Sequence, residues 1–418
     1  MADALRRGRV AARYVLGHLR HRDPRTWVFG SVKGFADNSR YLAEHVAHAH
    51  PQIEAWWIAR SDAEAGAARA AGLRVARRGS PEAHDVQSRA RVAFLSSGFQ
   101  DVEAAYLGGA FVVDMRHGMP NKKILLDMDD PELRASSWRR RMVARLRRWL
   151  VARRLGQVDL VIAQGELGKE RFKTAFAAPE RKVVALGTPR FDVILGAEAL
   201  DRVGGRDLRQ RLGLPADAYV VLWLPTWRDE GDAGWLPALD ADALDRHLAG
   251  TPALLAIKPH PYADQAVFRG RLPEHPRIRL LDQRDVDPNA LLRVGDALLT
   301  DYSSAASDYA LLDRPIHFFA PDLAAYRGGL GLYEPYEAFT GGTYHETWQS
   351  LLPALAASAR GDDRQARDAA RRIRQRQRDR DEPGSSERIV RAVAERIGLE
   401  LEPAAERSGP TLTLNSGE

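Results

Sequence analysis

The stretch ALLTDYSSAASDYALLDRPIHFF, residues 297–319, determines the fold class of this chain. It begins with the apolar run Ala297–Thr300 and ends with a second apolar run, Ile316–Phe319. Between them, Ala305–Leu312 has a helical pattern that follows the hydroxyl residues Ser303 and Ser304. A strand, a helix and a strand within so short a stretch predict a parallel pair of strands joined by a crossover helix.

The same alternation of strand and helix extends in both directions from this stretch. A helix is predicted from about Asn38 to His48, and short apolar runs predict the strands Trp27–Ser31, Ala55–Ala59, Val92–Ser96, Phe111–Asp114, Leu160–Ala163, Tyr219–Leu224, Ala253–Ile257 and Ile278–Leu281. Repeated alternation of this kind favours an α/β fold, with parallel sheets covered by helices on both faces.

The length and composition indicate two domains. A chain of 418 residues with 44% apolar content is long enough to fill two cores. Near residues 187–205 the sequence becomes rich in Gly, Pro and charge, so we place the domain boundary near residue 200. We expect a basic N-terminal helix (1–24), two Rossmann-like domains (25–200 and 201–345), C-terminal helices (346–400) and a disordered polar tail (401–418).

Composition also excludes several kinds of chemistry. The chain has no cysteine, so thiol nucleophiles, disulfides and zinc ribbons are excluded. No GxGxxG follows a strand and no P-loop occurs, which argues against dinucleotide and P-loop NTPase enzymes. His45, His48 and His50 lack a matching acidic or Cys set, so we interpret them as solvated helix-end residues and expect no metal.

The charge and the apolar pattern bear on partners and location. A formal charge of +6 and a pI near 9.6 favour anionic partners. The first twenty residues do not have the pattern of a secretory signal, and no run approaches the roughly 18 apolar residues that span a bilayer. We therefore expect a cytoplasmic protein.

The first candidate site follows the strand Phe111–Asp114. There His117 stands before a Gly and a Pro that force a turn, at the strand end where such sheets bind ligands. An imidazole suits a general base that deprotonates a hydroxyl, and Lys122 and Lys123 are placed to hold phosphate. The alternative is a capping histidine in a basic loop.

Three further candidates also follow strands. Lys258 and His260 lie in a Pro-flanked turn. A cation at this place is suited to neutralise a pyrophosphate. The alternative is a rigid turn with an exposed histidine. Thr300, Asp301, Ser303 and Ser304 precede a helix, where hydroxyls and amides bind anions or only cap the helix. Arg228 follows the strand Tyr219–Leu224 and is suited to clamp a phosphate.

A basic helix is predicted over Trp138–Leu155. Its apolar residues, Trp138, Met142, Leu146, Trp149 and Leu150, recur at helical spacing among eight arginines. A tryptophan-containing stripe among arginines suits a helix that lies on an anionic membrane surface. The alternative is a helix packed on its own domain with a solvated basic face.

In this order, the segments resemble the CDP-glycerol glycerophosphotransferase family, which includes teichoic acid primases and polymerases. The resemblance covers roughly residues 27–345 and rests on short motifs, which are Phe29–Ser31, Gly34–Ser39, His117–Gly118, Gly187–Asp192, Pro225–Arg228, His260–Pro261, Thr300–Ser304, Asp308–Tyr309, Arg314–Ile316, Asp322 and Tyr326. Arg116 and Met119–Lys122 depart from the Trp and the Thr-Pro-Leu-Lys that the family usually has there, which leaves the polyol and the acceptor open.

The resemblance implies a GT-B arrangement, in which an acceptor domain and a nucleotide-donor domain face each other across a cleft. An acceptor hydroxyl would attack the phosphorus of CDP-glycerol or a related CDP-polyol, and CMP would leave without any cofactor. His117 would be the base, His260 would stabilise the pyrophosphate, and Arg228, Ser303 and Ser304 would bind phosphate oxygens. The acceptor would be a lipid-linked molecule or a polysaccharide, and the product would be teichoic acid or capsule, made at the inner face of the membrane.

Two other functions compete with this one. A GT-B glycosyltransferase that uses a nucleotide sugar would need a donor-side acidic residue to hold sugar hydroxyls, and we assign none. The arginine clusters also suggest nucleic-acid binding. They lack both interleaved aromatic residues on strands and a recognition helix, so we expect no nucleic-acid partner.

Overall fold

The computed structural model describes residues 12–226, 236–259, 268, 270–281, 286–327, 331–377 and 382–402. Within these residues the strands form two sheets whose registered pairs are parallel. The first sheet has the order β3-β2-β1-β4-β5-β6-β7, and its strands are β1 Asp23–Phe29, β2 Glu54–Ala59, β3 Arg74–Arg77, β4 Ala90–Leu95, β5 Phe111–Asp114, β6 Leu160–Ala163 and β7 Val183–Ala185. The second has the order β10-β9-β8-β11-β12, and its strands are β8 Tyr219–Leu224, β9 Ala253–Ile257, β10 Ile278–Leu280, β11 Ala297–Thr300 and β12 Ile316–Phe318.

Helices connect most of these strands, as the alternation of the sequence predicts. In chain order they are α1 Asp37–Ala49, α2 Asp62–Ala70, α3 Pro81–Arg89, α4 Trp138–Leu155, α5 Glu166–Ala175, α6 Pro189–Leu195, α7 Ala197–Arg202, α8 Leu208–Arg211, α9 Ala241–Leu248, α10 Pro288–Leu292, α11 Ala305–Tyr309, α12 Leu323–Arg327, α13 Tyr336–Thr340, α14 Trp348–Ala359, α15 Arg364–Gln377 and α16 Ser385–Ile397. None of the helices in the described ranges is long and apolar enough to cross a membrane.

The chain divides into two compact units. One consists of Met1–Phe94, Phe99–Phe111 and Glu387–Glu418, and the other of Leu95–Gly98 and Val112–Ser386. The predicted boundary near residue 200 falls between β7 and β8, and it stays a prediction. Residues 12–17 of the expected N-terminal helix are helical, whereas residues 1–11 and nearly all of the expected disordered tail lie outside the described residues.

The core of the first unit is aromatic. Phe29 on β1 stacks on Phe94 of β4 with ring centroids 4.8 Å apart, and Trp27 lies 5.4 Å from the same ring. Trp57 of β2 is fully buried, and the edge of Phe35 packs against it. Alternate large side chains from neighbouring parallel strands therefore fill one face of the sheet.

One hydrophobic core of the second unit lies between the five-stranded sheet and α14. Trp223 of β8 meets Trp348 of α14 at right angles, with ring centroids 5.5 Å apart, and Phe319 lies 4.4 Å from Trp348. β11 lies between β8 and β12, and all four of its residues are buried. Continuous apolar runs of this kind are expected of parallel strands that are covered on both faces.

Candidate active site

The candidate site begins where β8 and β11 end side by side. The carboxylate of buried Asp301 accepts hydrogen bonds from the backbone N–H of Thr226, at 3.0 and 3.1 Å, and from its hydroxyl at 2.5 Å. The same carboxylate accepts the N–H of Tyr302 at 2.7 Å. Asp301 thus fixes the direction in which the chain leaves both strands, just before Trp227 and Arg228.

The hydroxyl residues after β11 occupy two different environments. Thr300 is fully buried, and its hydroxyl donates to the carbonyl of Leu224 at 2.7 Å. Ser303 and Ser304 are partly exposed, and the Ser303 hydroxyl accepts the N–H of Ala305 at 3.2 Å. The two serines therefore stand at the surface of the strand end. That Thr300 and Asp301 contact phosphate stays a prediction, because the contacts described here join them to β8 and to Tyr302.

The loop after β5 carries His117 on a constrained backbone. Arg116 has a φ of 47°, in the left-handed region that non-glycine residues rarely adopt. Its N–H donates to Asp114 at 2.9 Å and its guanidinium lies 3.5 Å from the same carboxylate. Burial raises the pKa of Asp114, and the charge of Arg116 partly opposes that shift. This turn leaves the side chain of His117 exposed.

The loop that carries His117 contacts the hydroxyl segment that follows β11. A Cβ placed on Gly118 would lie 3.1 Å from the Ser304 hydroxyl oxygen and 3.6 Å from its Cβ. A Cβ at that distance would require the Ser304 side chain to shift by a few tenths of an ångström, so glycine favours the close approach of the His117 loop to the serine. Both residues belong to the second unit, so this contact lies inside one compact body. The structure thus places Gly118, the residue that follows the candidate base, against a candidate phosphate ligand.

A cleft of about 480 Å³ lies beside Lys122, which was predicted to bind phosphate. The Lys122 ammonium lies 4.8 Å from the ring centroid of Tyr326, and that ring stacks on Tyr302 at 3.6 Å. The Tyr302 hydroxyl donates to Asp322 at 3.0 Å. Lys122 therefore lies over the stacked rings of Tyr326 and Tyr302, and its charge is at the edge of the cleft.

The remaining predicted residues come from the other loops. Lys258 is partly exposed directly after β9, and its N–H donates to the Trp223 carbonyl at 3.0 Å. Arg228 and His260 lie outside the described residues. Their predicted roles as phosphate ligand and pyrophosphate stabiliser stay predictions, as does the expected meeting of His117 and His260.

Sequence reasoning missed two polar links that support this region. Arg190 forms a buried, bidentate ion pair with Asp308 of α11, with Nε to Oδ distances of 3.0 Å. Asp192 accepts the N–H groups of Gly384, Ser385 and Ser386 at 2.7 to 2.8 Å. The motifs at 187–192 and 308–309 were visible in the sequence, but nothing in it indicated that Arg190 pairs with Asp308.

The interpretation of the helix-end histidines as solvated is wrong for His50. His50 is only 2% exposed, and it donates from Nε2 to Glu387 at 2.8 Å, while His45 donates to the same oxygen at 3.1 Å. Arg391 binds the other oxygen at 2.6 Å. These histidine and carboxylate atoms lie within 4.8 Å of one another and are of types that ligate metals, so the expectation of no metal here stays a prediction.

This cluster makes stability depend on pH. Hydrogen bonds from His45 and then His50 hold the pKa of Glu387 well below its ordinary value. A carboxylate with a lowered pKa stabilises the fold above its unfolded-state pKa of about 4.3, and this stability is lost as the pH falls toward the folded pKa. We expect Glu387→Gln to lower the melting temperature at pH 7 by more than it does at about pH 3, which lies between the unfolded-state pKa and the lowered folded pKa of Glu387. Glu395→Gln, at an exposed site on the same helix, is the matched control. An equal decrease in melting temperature at both pH values would contradict a stabilising role of the Glu387 charge.

Comparison with known proteins identifies the family. The family described as CDP-glycerol:poly(glycerophosphate) glycerophosphotransferase matches residues 12–395. The chain belongs to this family. The resemblance that the short motifs suggested is thereby confirmed.

Individual relatives agree with this membership. The chain is 27% identical over 337 residues to a teichoic acid poly(glycerol phosphate) polymerase of Staphylococcus epidermidis, covering 78% of this chain and 44% of the relative. It is 31% identical over 187 residues to the teichoic acid ribitol-phosphate polymerase TarK of Staphylococcus aureus, covering 44% of this chain and 36% of the relative. The chain spans about half the length of the first of these curated relatives.

The fold is similar to that of a solved family structure. A structure of the wall teichoic acid polymerase TagF superposes with a TM-score of 0.72 at 20% identity, covering 93% of both chains. The predicted α/β class with parallel sheets is therefore confirmed.

Proposed function

We propose that this chain transfers a polyol phosphate, with glycerol phosphate as the first expectation, from a CDP-linked donor to a hydroxyl of a bacterial surface polymer. The family match and the polyol-phosphate polymerases among its relatives support the reaction class. The observation that carries the site is the contact of the His117–Gly118 turn with Ser304. The polymer is teichoic acid in the relatives' names, and capsule is the other polymer to test.

In the proposed reaction the acceptor hydroxyl oxygen forms a bond to the phosphorus that bears the polyol. The bond between that phosphorus and the bridging oxygen breaks, and CMP leaves with the oxygen. His117 takes the proton of the attacking hydroxyl, while Ser303, Ser304 and Lys122 hold phosphate oxygens. Arg228, Lys258 and His260 complete this proposal as further phosphate ligands. Because phosphoryl transfer gains mainly from positioning and charge neutralisation, such residues are suited to its chemistry.

We infer a GT-B arrangement for the two sheets, with the donor held at the ends of β8, β9 and β11. The presence of two parallel sheets and the similarity to TagF support this inference. In parallel α/β sheets, ligands bind beyond the carboxyl ends of the strands, which is where Thr226, Lys258 and Ser304 lie.

The donor decides between this function and the competing glycosyltransferase. Incubation of the purified chain with CDP-glycerol, CDP-ribitol and UDP-sugars, each with a polymer acceptor, should release CMP from a CDP-polyol. The released nucleotide is measured by chromatography. Release of UDP alone would refute the proposal and establish the glycosyltransferase.

The exposed apolar residues of α4 support the proposal that this helix binds a membrane surface. Trp138 and Trp149 are 64% and 54% exposed, and the exposed apolar residues Met142, Val143, Leu146, Leu150 and Val151 lie on the same helix. These exposures are incompatible with a stripe buried against the chain's own domain. The arginines around the stripe, such as Arg139 beside Trp138 and Arg153 beside Trp149, match an anionic lipid surface. We propose that α4 lies on the inner face of the cell membrane, near the acceptor.

This proposal predicts lipid-dependent binding. Trp138→Ser combined with Trp149→Ser should reduce sedimentation with phosphatidylglycerol-containing vesicles by about 10-fold, because two interfacial aromatic anchors are lost. Met128→Ser, which alters another exposed apolar residue outside α4, should leave binding unchanged. Equal binding of wild type and the double variant, or equal binding to phosphatidylcholine vesicles, would contradict the proposal.

A further inference from the structure

Arg171 on α5 connects the loop that carries His117 to a second segment of the chain. Its side chain is buried, and one guanidinium nitrogen donates to the Pro120 carbonyl at 2.9 Å. The other terminal nitrogen donates to Glu334 at 2.8 Å. A planar fork can make these two bonds at once in fixed directions, which a lysine ammonium on a flexible stem cannot reproduce.

The segment on the other side of Arg171 is itself firmly held. Glu334 also pairs with Arg376 of α15, and the Arg171 guanidinium lies 5.0 Å from the centroid of the Tyr333 ring. The Tyr333 hydroxyl donates to Asp127 at 2.6 Å, which ties the same segment to the far end of the loop. Glu334 therefore offers Arg171 a fixed anchor and not a mobile surface partner.

The backbones of the two segments are also joined. The N–H of Tyr333 donates to the Asn121 carbonyl at 3.0 Å, and the N–H of Lys123 donates to the Gly331 carbonyl at 3.1 Å. Arg171 closes this connection at Pro120, three residues after His117. The backbone of the loop is thus tied on the side that follows Gly118, the residue that approaches Ser304.

We propose that Arg171 is a positioning residue, which acts through the Pro120 carbonyl and Glu334 to hold the His117–Gly118 turn against Ser304. This inference rests on the proposed function, because its consequence is the alignment of His117 with the acceptor hydroxyl. Arg171 itself is buried behind the loop and contacts no reacting group in this scheme. Its loss would displace the base, whereas the backbone bonds of Asn121 and Lys123 keep Lys122 in place and the donor ligands at the ends of β8 and β11 are unaffected.

The test compares Arg171→Met and Arg171→Lys with wild type in CMP release from CDP-glycerol. We expect kcat to fall by about 100-fold in R171M, because a displacement of about 1 Å at a reacting group has such an effect. KM for CDP-glycerol should change by less than about 3-fold, and R171K should recover only part of kcat, since an ammonium replaces one bond of the fork. Arg181→Met, at an exposed site just after α5, is the matched control and should behave as wild type.

The outcomes separate this inference from the proposed function. A wild type that releases no CMP refutes the function, whereas an active wild type with an equally active, folded R171M overturns only the positioning role. A rise in KM with unchanged kcat would also overturn it, because that result places Arg171 in ground-state binding. If circular dichroism shows that R171M does not fold, Glu334→Gln tests the positioning role instead. It weakens the anchor while keeping Arg171, and a kcat equal to that of wild type would overturn the proposal.

Discussion

Replacement of His117 by alanine is expected to lower CMP release from CDP-glycerol by at least about 100-fold, the lower range of what a general base contributes. The exposed ring stands on a turn held by Arg116 and Asp114, and the next residue, Gly118, contacts Ser304. An imidazole at that place is suited to accept the proton of an attacking hydroxyl at neutral pH. The measurement is the initial rate of CMP release at saturating donor and acceptor.

The matched control is His21→Ala, because His21 is exposed and lies far from the loop in sequence. It should retain the wild-type rate. The melting temperatures of both variants should equal that of wild type, since neither exposed ring fills a core. His117→Ala with more than about a tenth of the wild-type rate would remove His117 from the role of base.

Much of the fold follows from the sequence because parallel strands are short apolar runs with sharp ends. The predicted strands at 111–114, 160–163, 219–224, 253–257 and 297–300 match β5, β6, β8, β9 and β11 at both ends. The predictions failed at two short edge strands. β3, with the sequence RVAR, and β7, with only three residues, are edge strands that show too little apolar pattern to be recognised.

The candidate site was predictable only as a set of separate segments. Each strand end with His, Ser or Lys was visible, because ligands bind at such ends in parallel sheets. Which segments touch was not visible, because the contact of Gly118 with Ser304 joins residues almost two hundred positions apart. The same holds for Arg171 and for Asp192, whose partners are carbonyl, carboxylate or amide groups of distant segments. Likewise, buried His50 is paired with the carboxylate of Glu387, and no residue near His50 in the sequence indicates this partner.

The second large effect concerns stability. Arg190→Met should destabilise the fold by about 3–5 kcal/mol, because it leaves the Asp308 carboxylate buried without its bidentate partner. The two side chains are only 3% and 11% exposed, so water compensates little for the lost ion pair. The measurement is the free energy of unfolding in urea. Because Asp308 lies on α11, which follows Ser304, the loss should also lower CMP release.

Two variants distinguish the buried pair from a general effect of removing arginine. Arg202→Met breaks a pair with Glu198, which is 74% exposed, and should cost less than about 1 kcal/mol. Arg190→Met combined with Asp308→Leu should recover part of the loss, since the buried carboxylate is then removed together with its arginine. If R190M is no less stable than R202M, the ion pair is not what holds α11. If the double variant is no more stable than R190M, the stability depends on shape at this site and not on charge.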